Sequence, residues 1–167
     1  MYDELTEVDI RKMQEEIHYR TTVLRPKIME DVKTARAFGD LSENYEYKAA
    51  KQEQRRCDSR LRYLKRMVAT AKVISTDSPA DVAGLFDTVT IRYPEDGDTE
   101  TIRLVTTLRQ DALKGLISKE SPVGKAVMGH KKGDRVTVHV NENYSYDIII
   151  RDVQKGSDDE TLPISSY

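Results

Sequence analysis

The stretch Tyr45–Ala71, YEYKAAKQEQRRCDSRLRYLKRMVATA, places Tyr47, Ala50, Gln54, Cys57, Leu61, Leu64, Val68 and Ala71 at steps that alternate between three and four. That is the heptad spacing of a helix that buries one seam against a second helix. Upstream, residues 7–37 contain no Gly and one Pro, and Ile10, Met13, Ile17, Thr21, Leu24, Ile28, Val32 and Ala35 recur in the same steps, as an amphipathic helix requires. If the two seams fold back on each other, the numbers of facing residues must keep a constant sum. Ala35 with Tyr47, Val32 with Ala50, Ile28 with Gln54, Leu24 with Cys57, Thr21 with Leu61, Ile17 with Leu64, Met13 with Val68 and Ile10 with Ala71 all do so to within one residue. The reading is an antiparallel coiled-coil hairpin of about thirty residues per arm, roughly 45 Å long at ~1.5 Å rise per residue. Pro26 interrupts the first arm. It removes a backbone donor at a typical cost of ~3 kcal/mol, so a kink is predicted there, with the Thr22 hydroxyl or a water compensating for the carbonyl that loses its partner.

Between the arms lies Gly39-Asp40-Leu41-Ser42-Glu43-Asn44-Tyr45-Glu46-Tyr47, a tip with three carboxylates in seven residues. Gly39 supplies the left-handed residue that commonly closes a helix, and exposed loop tips are where function concentrates. Two readings of Asp40 and Glu43 stand side by side. Their spacing is that of a capping box, although Ser42 could cap in place of Asp40; equally, they are a carboxylate pair able to hold a hard metal ion. Glu46 reads as a first-turn acid favoured by the helix dipole.

Charge is distributed unevenly along the 167 residues. Residues 44–75 carry nine basic and three acidic groups, whereas residues 1–43 carry seven and ten, and residues 76–167 eleven and sixteen. The excess marks a local electropositive surface and excludes general nucleic-acid coating. Lys48, Lys51, Arg55, Arg62 and Lys65 form one flank of the second arm, interrupted by Asp58. They serve either phosphate or partner contact or interhelical pairing, Lys51 and Arg55 with Glu30 and Asp31, Lys65 and Arg66 with Glu15 and Glu16. A single cysteine excludes an internal disulfide framework. With no long apolar run and no signal-like N-terminus, the chain reads as soluble and cytoplasmic, without a membrane role.

The character changes after Ile74. Residues 1–75 are read as the hairpin domain with its tip at 39–46, and residues 76–82 as a turn-rich linker. Residues 83–153 are read as an α+β domain: alternation over Phe86–Tyr93 and Glu100–Thr107 around Pro94–Asp98 predicts one β-hairpin, and Val136–Val140 with Tyr144–Val153 another. Ser121-Pro122 opens a short helix ending at Gly129. The acidic tail, 154–167, reads as flexible.

Two motifs carry a family resemblance. Arg25-Pro26-Lys27-Ile28 followed by Ala35–Lys51 resembles the hairpin signature of the Gre family of bacterial transcript-cleavage factors. Ile117–Gly129, with Gly133-Asp134 after it, resembles that family's C-terminal signature. The resemblance implies a coiled coil that enters the secondary channel of RNA polymerase and an FKBP-like antiparallel β-sheet domain, bearing a short helix, that rests on the channel rim. It implies a monomer with no cofactor of its own and no autonomous catalysis. By motif position Asp40 and Glu43 assist the polymerase active site, sharing its second Mg²⁺ so that the polymerase cleaves the 3′ end of backtracked RNA. Tyr45, Lys48, Lys51 and Arg55 would contact RNA or polymerase, and Ser121, Pro122 and Gly129 the rim. The chain departs from the family pattern at Asn141-Glu142-Asn143, where Pro-x-Gly is common, and at Arg109–Leu113.

Other readings rest on fewer residues. A channel-binding homologue that inhibits without cleavage has a more acidic tip than Asp-Leu-Ser-Glu. A plain coiled-coil interaction module would tolerate neutralisation of Asp40 and Glu43. A prolyl isomerase needs an aromatic-lined pocket, which the absence of Trp and the presence of only Phe38 and Phe86 argue against. Cys57 reads as a buried, inert thiol, Tyr47 as seam packing, and His18, His130 and His139 as scattered.

Overall fold

The computed structural model describes residues 3–39 and 44–166, and the chain divides into two units. Residues 10–71 form one; residues 72–167 form the other, together with residues 1–9. The first nine residues therefore group with the sheet unit, not with the hairpin as the sequence reading has it.

In the helical unit, α1 (Glu7–Tyr19) passes through a π-helical turn, Arg20–Leu24, into α2 (Arg25–Arg36), and α3 (Tyr45–Thr70) returns. Met13, Ile28, Val32, Ala35, Cys57, Leu61 and Leu64 are buried, with Ile17, Leu24, Tyr47 and Ala50 packed against the Ile28–Leu61 cluster. The seam departs from expectation at Thr21, which is exposed. Pro26 sits in the first turn of α2, where a missing N–H costs least, and the wide turn just before it lets the Arg25 amide donate to the Arg20 carbonyl. That turn holds one residue more than an α turn and rotates what precedes it by about 100° relative to the seam. The Thr22 hydroxyl donates to the His18 carbonyl at 2.7 Å.

In the sheet unit, β3 (Thr88–Arg92), β4 (Thr99–Val105), β5 (Leu116–Ser118), β6 (Arg135–Asn141) and β7 (Tyr144–Gln154) lie in the order β5-β4-β3-β7-β6. The two expected hairpins are β3–β4 and β6–β7, both antiparallel. β5 pairs parallel with β4, so the α+β sheet is mixed and not wholly antiparallel. The short α4 (Pro122–Val127) is capped by Ser121, whose Oγ accepts from the Gly124 amide at 3.0 Å. Gly124 has no room for a side chain: a Cβ would stand 2.0 Å from the Ser118 carbonyl oxygen. Val127 of α4 joins Val89, Ile91, Ile102, Leu104, Val136, Val138, Ile148 and Ile150 in the core. A separate two-residue pairing joins β1 (Glu4–Leu5) to β2 (Lys72–Val73) in parallel.

The segments read as linker and frayed tail are bonded to this unit. Val82 bridges to Lys131, and Lys155 donates to Ser78 and Asp87. Arg109 is fully buried, donating to Asp9 Oδ1 (2.7 Å), Asp158 Oδ1 (2.8 Å) and the Asp159 carbonyl (2.8 Å), with its guanidinium 5.3 Å from the Phe86 ring centre. The Ser165 amide donates to the Leu108 carbonyl. The tail is held because two arginines, Arg103 and Arg109, supply donors to its acids and carbonyls.

Candidate functional site at the hairpin tip

The described residues on either side of the tip are held by one side chain. Asn44 is the N-cap of α3: its Oδ1 accepts from the Tyr47 amide at 3.0 Å, and its Nδ2 donates to the Ala35 carbonyl at 2.7 Å. The first bond satisfies an orphan amide at the start of α3, and the second an orphan carbonyl at the end of α2. Ala35 O also accepts from the Phe38 amide at 3.2 Å, and Gly39 follows at φ +121°, a conformation glycine adopts without strain. The amide of Asn44 thus fastens the two arms directly beneath the tip. Asp40, Leu41, Ser42 and Glu43 lie outside the described residues; the cap on the Tyr47 amide is Asn44.

Around this clamp the surface is aromatic and charged. Phe38 is 73% and Tyr45 82% exposed. Lys48 Nζ lies 5.6 Å from the Tyr45 ring centre, within cation–π range. Arg36 covers the Tyr47 ring at 5.7 Å and donates to its hydroxyl at 3.4 Å; that hydrogen bond holds the Tyr47 hydroxyl below the usual phenol range. Tyr47 thus packs at the seam, as expected, and also seats a cation.

Among the described residues, no ion pair joins Lys51 or Arg55 to Glu30 or Asp31. Lys51 donates to Gln54 on its own helix at 3.0 Å, and Arg55 is exposed. The pairing expected between Lys65 or Arg66 and Glu15 or Glu16 is replaced. Glu16 accepts from Arg60 at 2.8 Å and lies 3.7 Å from Arg20, while Arg66 stacks on Tyr63. The π turn accounts for this, since it rotates the base of the first arm and turns Glu16 toward Arg60. Asp58, the gap in the basic flank, takes Arg25 at 2.8 Å. On the opposite side of α3 the small residues Ala35, Ala49 and Ala50 leave a groove of about 560 Å³ edged by Asp31, Glu46 and Glu53. Near the tip, α3 therefore presents a cationic flank and an acidic one.

The residues assigned to rim contact are in the sheet unit. Ser121 caps α4 and donates to the Ser118 carbonyl at 2.7 Å; Pro122 is exposed; Gly129 takes φ +82° and its amide donates to Ala83. Ser121 and Gly129 have structural work, and Pro122 and Gly129 are exposed. Cys57 is buried in the seam, as expected. Sequence reasoning passed over Asn44, although an Asn three residues before the first seam residue is a readable N-cap signal. It also passed over the exposed Phe38 and the Arg36 donor.

The transcription elongation factor N-terminal family model matches residues 4–73, and the GreA/GreB transcription elongation factor C-terminal model matches residues 78–155. Transcription elongation factor GreA of Bacillus licheniformis is 41% identical over 135 residues, covering 80% of this chain and 85% of its own. GreA of Oenococcus oeni is 39% identical over 152 residues, covering 90% and 94%. The crystal structure of GreA factor homolog 1 of Thermus thermophilus matches with a TM-score of 0.44 at 19% identity, over 93% of this chain and all of that one. With both family models matched in order over most of its length, the chain belongs to the GreA/GreB family of transcription elongation factors.

Proposed function

We propose that this factor binds RNA polymerase in the cytoplasm, enters the secondary channel with its helical hairpin, and stimulates the polymerase's own cleavage of backtracked RNA, with no catalysis of its own. The observation that supports this reading is the Asn44 clamp: Asn44 caps α3 at the Tyr47 amide and bonds the Ala35 carbonyl, so the cap on that amide does not call for a tip carboxylate. Hard carboxylate oxygens are what Mg²⁺ takes from a protein, usually one or two alongside phosphate and water. Asp40 and Glu43 would hold the ion jointly with the polymerase. When bound, such an ion supplies charge stabilisation to the attacking and leaving oxygens. Lys48, Lys51, Arg55 and Tyr45 support contact with RNA phosphates or the channel wall, which salt should weaken, and Ser121, Pro122 and Gly129 belong to the rim contact. The test is to add the protein to stalled, backtracked elongation complexes with Mg²⁺ and look for short 3′ RNA fragments. Wild type should release them, and the Asp40→Ala, Glu43→Ala double variant should bind the polymerase without releasing any. Inhibition without fragments from wild type, or undiminished cleavage by the double variant, refutes the proposal.

A further inference from the structure

Three tyrosines meet at the end of the sheet where β3 leaves for β4 and β7 begins. Tyr93 and Tyr146 stand 6.1 Å apart between ring centres, and Tyr144 and Tyr146 5.8 Å apart. With Pro94, Glu95 and Asp96 of the β3–β4 turn, and Asp147, they line a cleft of about 330 Å³. The cause is readable in the strands. Tyr93 follows Val89 and Ile91, and Tyr144 and Tyr146 precede Ile148 and Ile150, on the same alternating face. Helix α4 has only six residues, and tyrosines, not a second helix, finish that face. The cleft is thus an aromatic one built from tyrosine.

The chemistry of the cleft selects its guest. Tyr93 donates its hydroxyl to Glu100 Oε2 at 2.7 Å, which enriches its ring in electrons. Burial and the Glu100 carboxylate push the Tyr93 phenol far up, and burial raises that of Tyr146, so both rings stay neutral. Glu95, Asp96, Asp98 and Glu100 crowd one turn. Of the nearby cations, Arg135 is engaged by Asp147 at 3.0 Å, and Arg92 is exposed and reaches over the turn, its Nη2 4.0 Å from where a Cβ on Gly97 would stand. The four carboxylates of the turn outnumber that one arginine, and electron-rich ring faces beside net negative charge repel phosphate and attract a cation. The volume is at the small end for binding pockets, suited to one side chain. We infer that this tyrosine cleft receives an arginine or lysine side chain presented by a partner protein. Strand register puts the cleft at Arg92, the end of the sheet away from Ser118 and the Ser121–Pro122 loop, so it is a second contact, separate from the one assigned to that loop.

The test uses the full ¹⁵N-labelled chain and needs no polymerase. Acetyl-Gly-Arg-Gly-amide is titrated while amide shifts are followed, with acetyl-Gly-Gln-Gly-amide and a short uridine oligonucleotide as parallel arms. Saturable shifts confined to residues 93–96 and 144–147 are expected with the arginine peptide alone. Tyr144, being 56% exposed, can be changed without loss of fold: Tyr144→Ala should weaken binding about two- to five-fold and Tyr144→Phe should retain it. Equal response to the glutamine peptide, occupation of the cleft by the oligonucleotide, no saturable shift, or indifference to Tyr144→Ala in a folded variant overturns the inference.

Discussion

Replacing Asn44 separates the two bonds that fasten the tip. In Asn44→Ala both are lost: the cap to the Tyr47 amide, about 1 kcal/mol, and the bond to the Ala35 carbonyl, about another 1 kcal/mol. The terminal turns of the hairpin should then open about 2 kcal/mol more easily, roughly a thirty-fold rise in the opening constant. In Asn44→Asp the cap acceptor remains but the donor to Ala35 is gone, and a carboxylate oxygen faces a carbonyl. The Tyr47 amide should therefore stay protected in Asn44→Asp and lose protection in Asn44→Ala, while both variants loosen the end of α2. Native-state hydrogen exchange on the full chain reads this amide by amide, with Ile150, which donates to the Asp134 carbonyl in the sheet unit, as an internal control. Both variants should cut RNA cleavage while leaving polymerase binding largely intact. If the Tyr47 amide exchanges equally in wild type and Asn44→Ala, Asn44 is not the cap, and capping returns to the tip carboxylates.

Removing the Arg109 guanidinium with Arg109→Met should destabilise the sheet unit by about 3 to 5 kcal/mol, since it strands the fully buried Asp9 carboxylate; thermal unfolding measures the loss, and Arg109→Lys, unable to reach three acceptors in a fixed fork, should not restore it. Gly124→Ala should cost about 1 to 3 kcal/mol, because the new methyl would stand 2.0 Å from a backbone oxygen that cannot step aside, and urea titration should show the shift. Acid stability has a contributor in Glu4, whose carboxyl the Lys119 hydrogen bond holds below its ordinary 4.5, though solvent at this partly exposed side chain screens the effect. A depressed carboxylate pKa stabilises the fold above the unfolded-state value, and that stabilisation is lost as pH falls through the lower folded-state value. Glu4→Gln should thus flatten the stability profile below about pH 4.5 and leave its slope near neutrality unchanged, as denaturation at a series of pH values would show.

The parts of this fold that were legible in the sequence are those written in local periodicity. A heptad pattern repeats often enough for Cys57, Leu61 and Leu64 of the α3 seam to be read from sequence, although Arg60 and Met67 beside it are buried and Val68 and Ala71 are only half-buried, and strand alternation gave both hairpins. The π turn was not legible. Thr21 satisfies the three-and-four spacing by type, and only the accommodation of Pro26 shows that the helix spends an extra residue there and turns Thr21 outward. β5 has three residues and β1 two, too few to show a period. The tail failed for a different reason. Its acids read as solvent-seeking because Arg103 and Arg109, which bind them, lie some 50 residues away along the chain. At the tip, the residue types of Asp40 and Glu43 were legible, whereas the clamp beneath them depends on an Asn whose second bond crosses between helices.

The same non-local logic explains why a boundary drawn at residue 75 misplaces the first nine residues. Thr6 and Asp9 form a reciprocal cap at the start of α1. The Thr6 amide donates to Asp9 Oδ2 at 3.0 Å, and the Asp9 amide to Thr6 Oγ1 at 3.2 Å. From sequence this looks complete in itself, a helix start needing nothing else. A carboxylate, however, offers acceptor sites on both oxygens, and Asp9 Oδ1 is taken by Arg109 while the Thr6 hydroxyl reaches Asp158 at 2.5 Å. Desolvating Asp9, Arg109 and part of Asp158 is tolerable only because each charge meets the others at hydrogen-bond distance. A group that caps a helix and neutralises a buried arginine cannot be moved away from that arginine without exposing both. The beginning of α1 therefore belongs energetically to the sheet unit, while the helix that continues from it belongs to the hairpin.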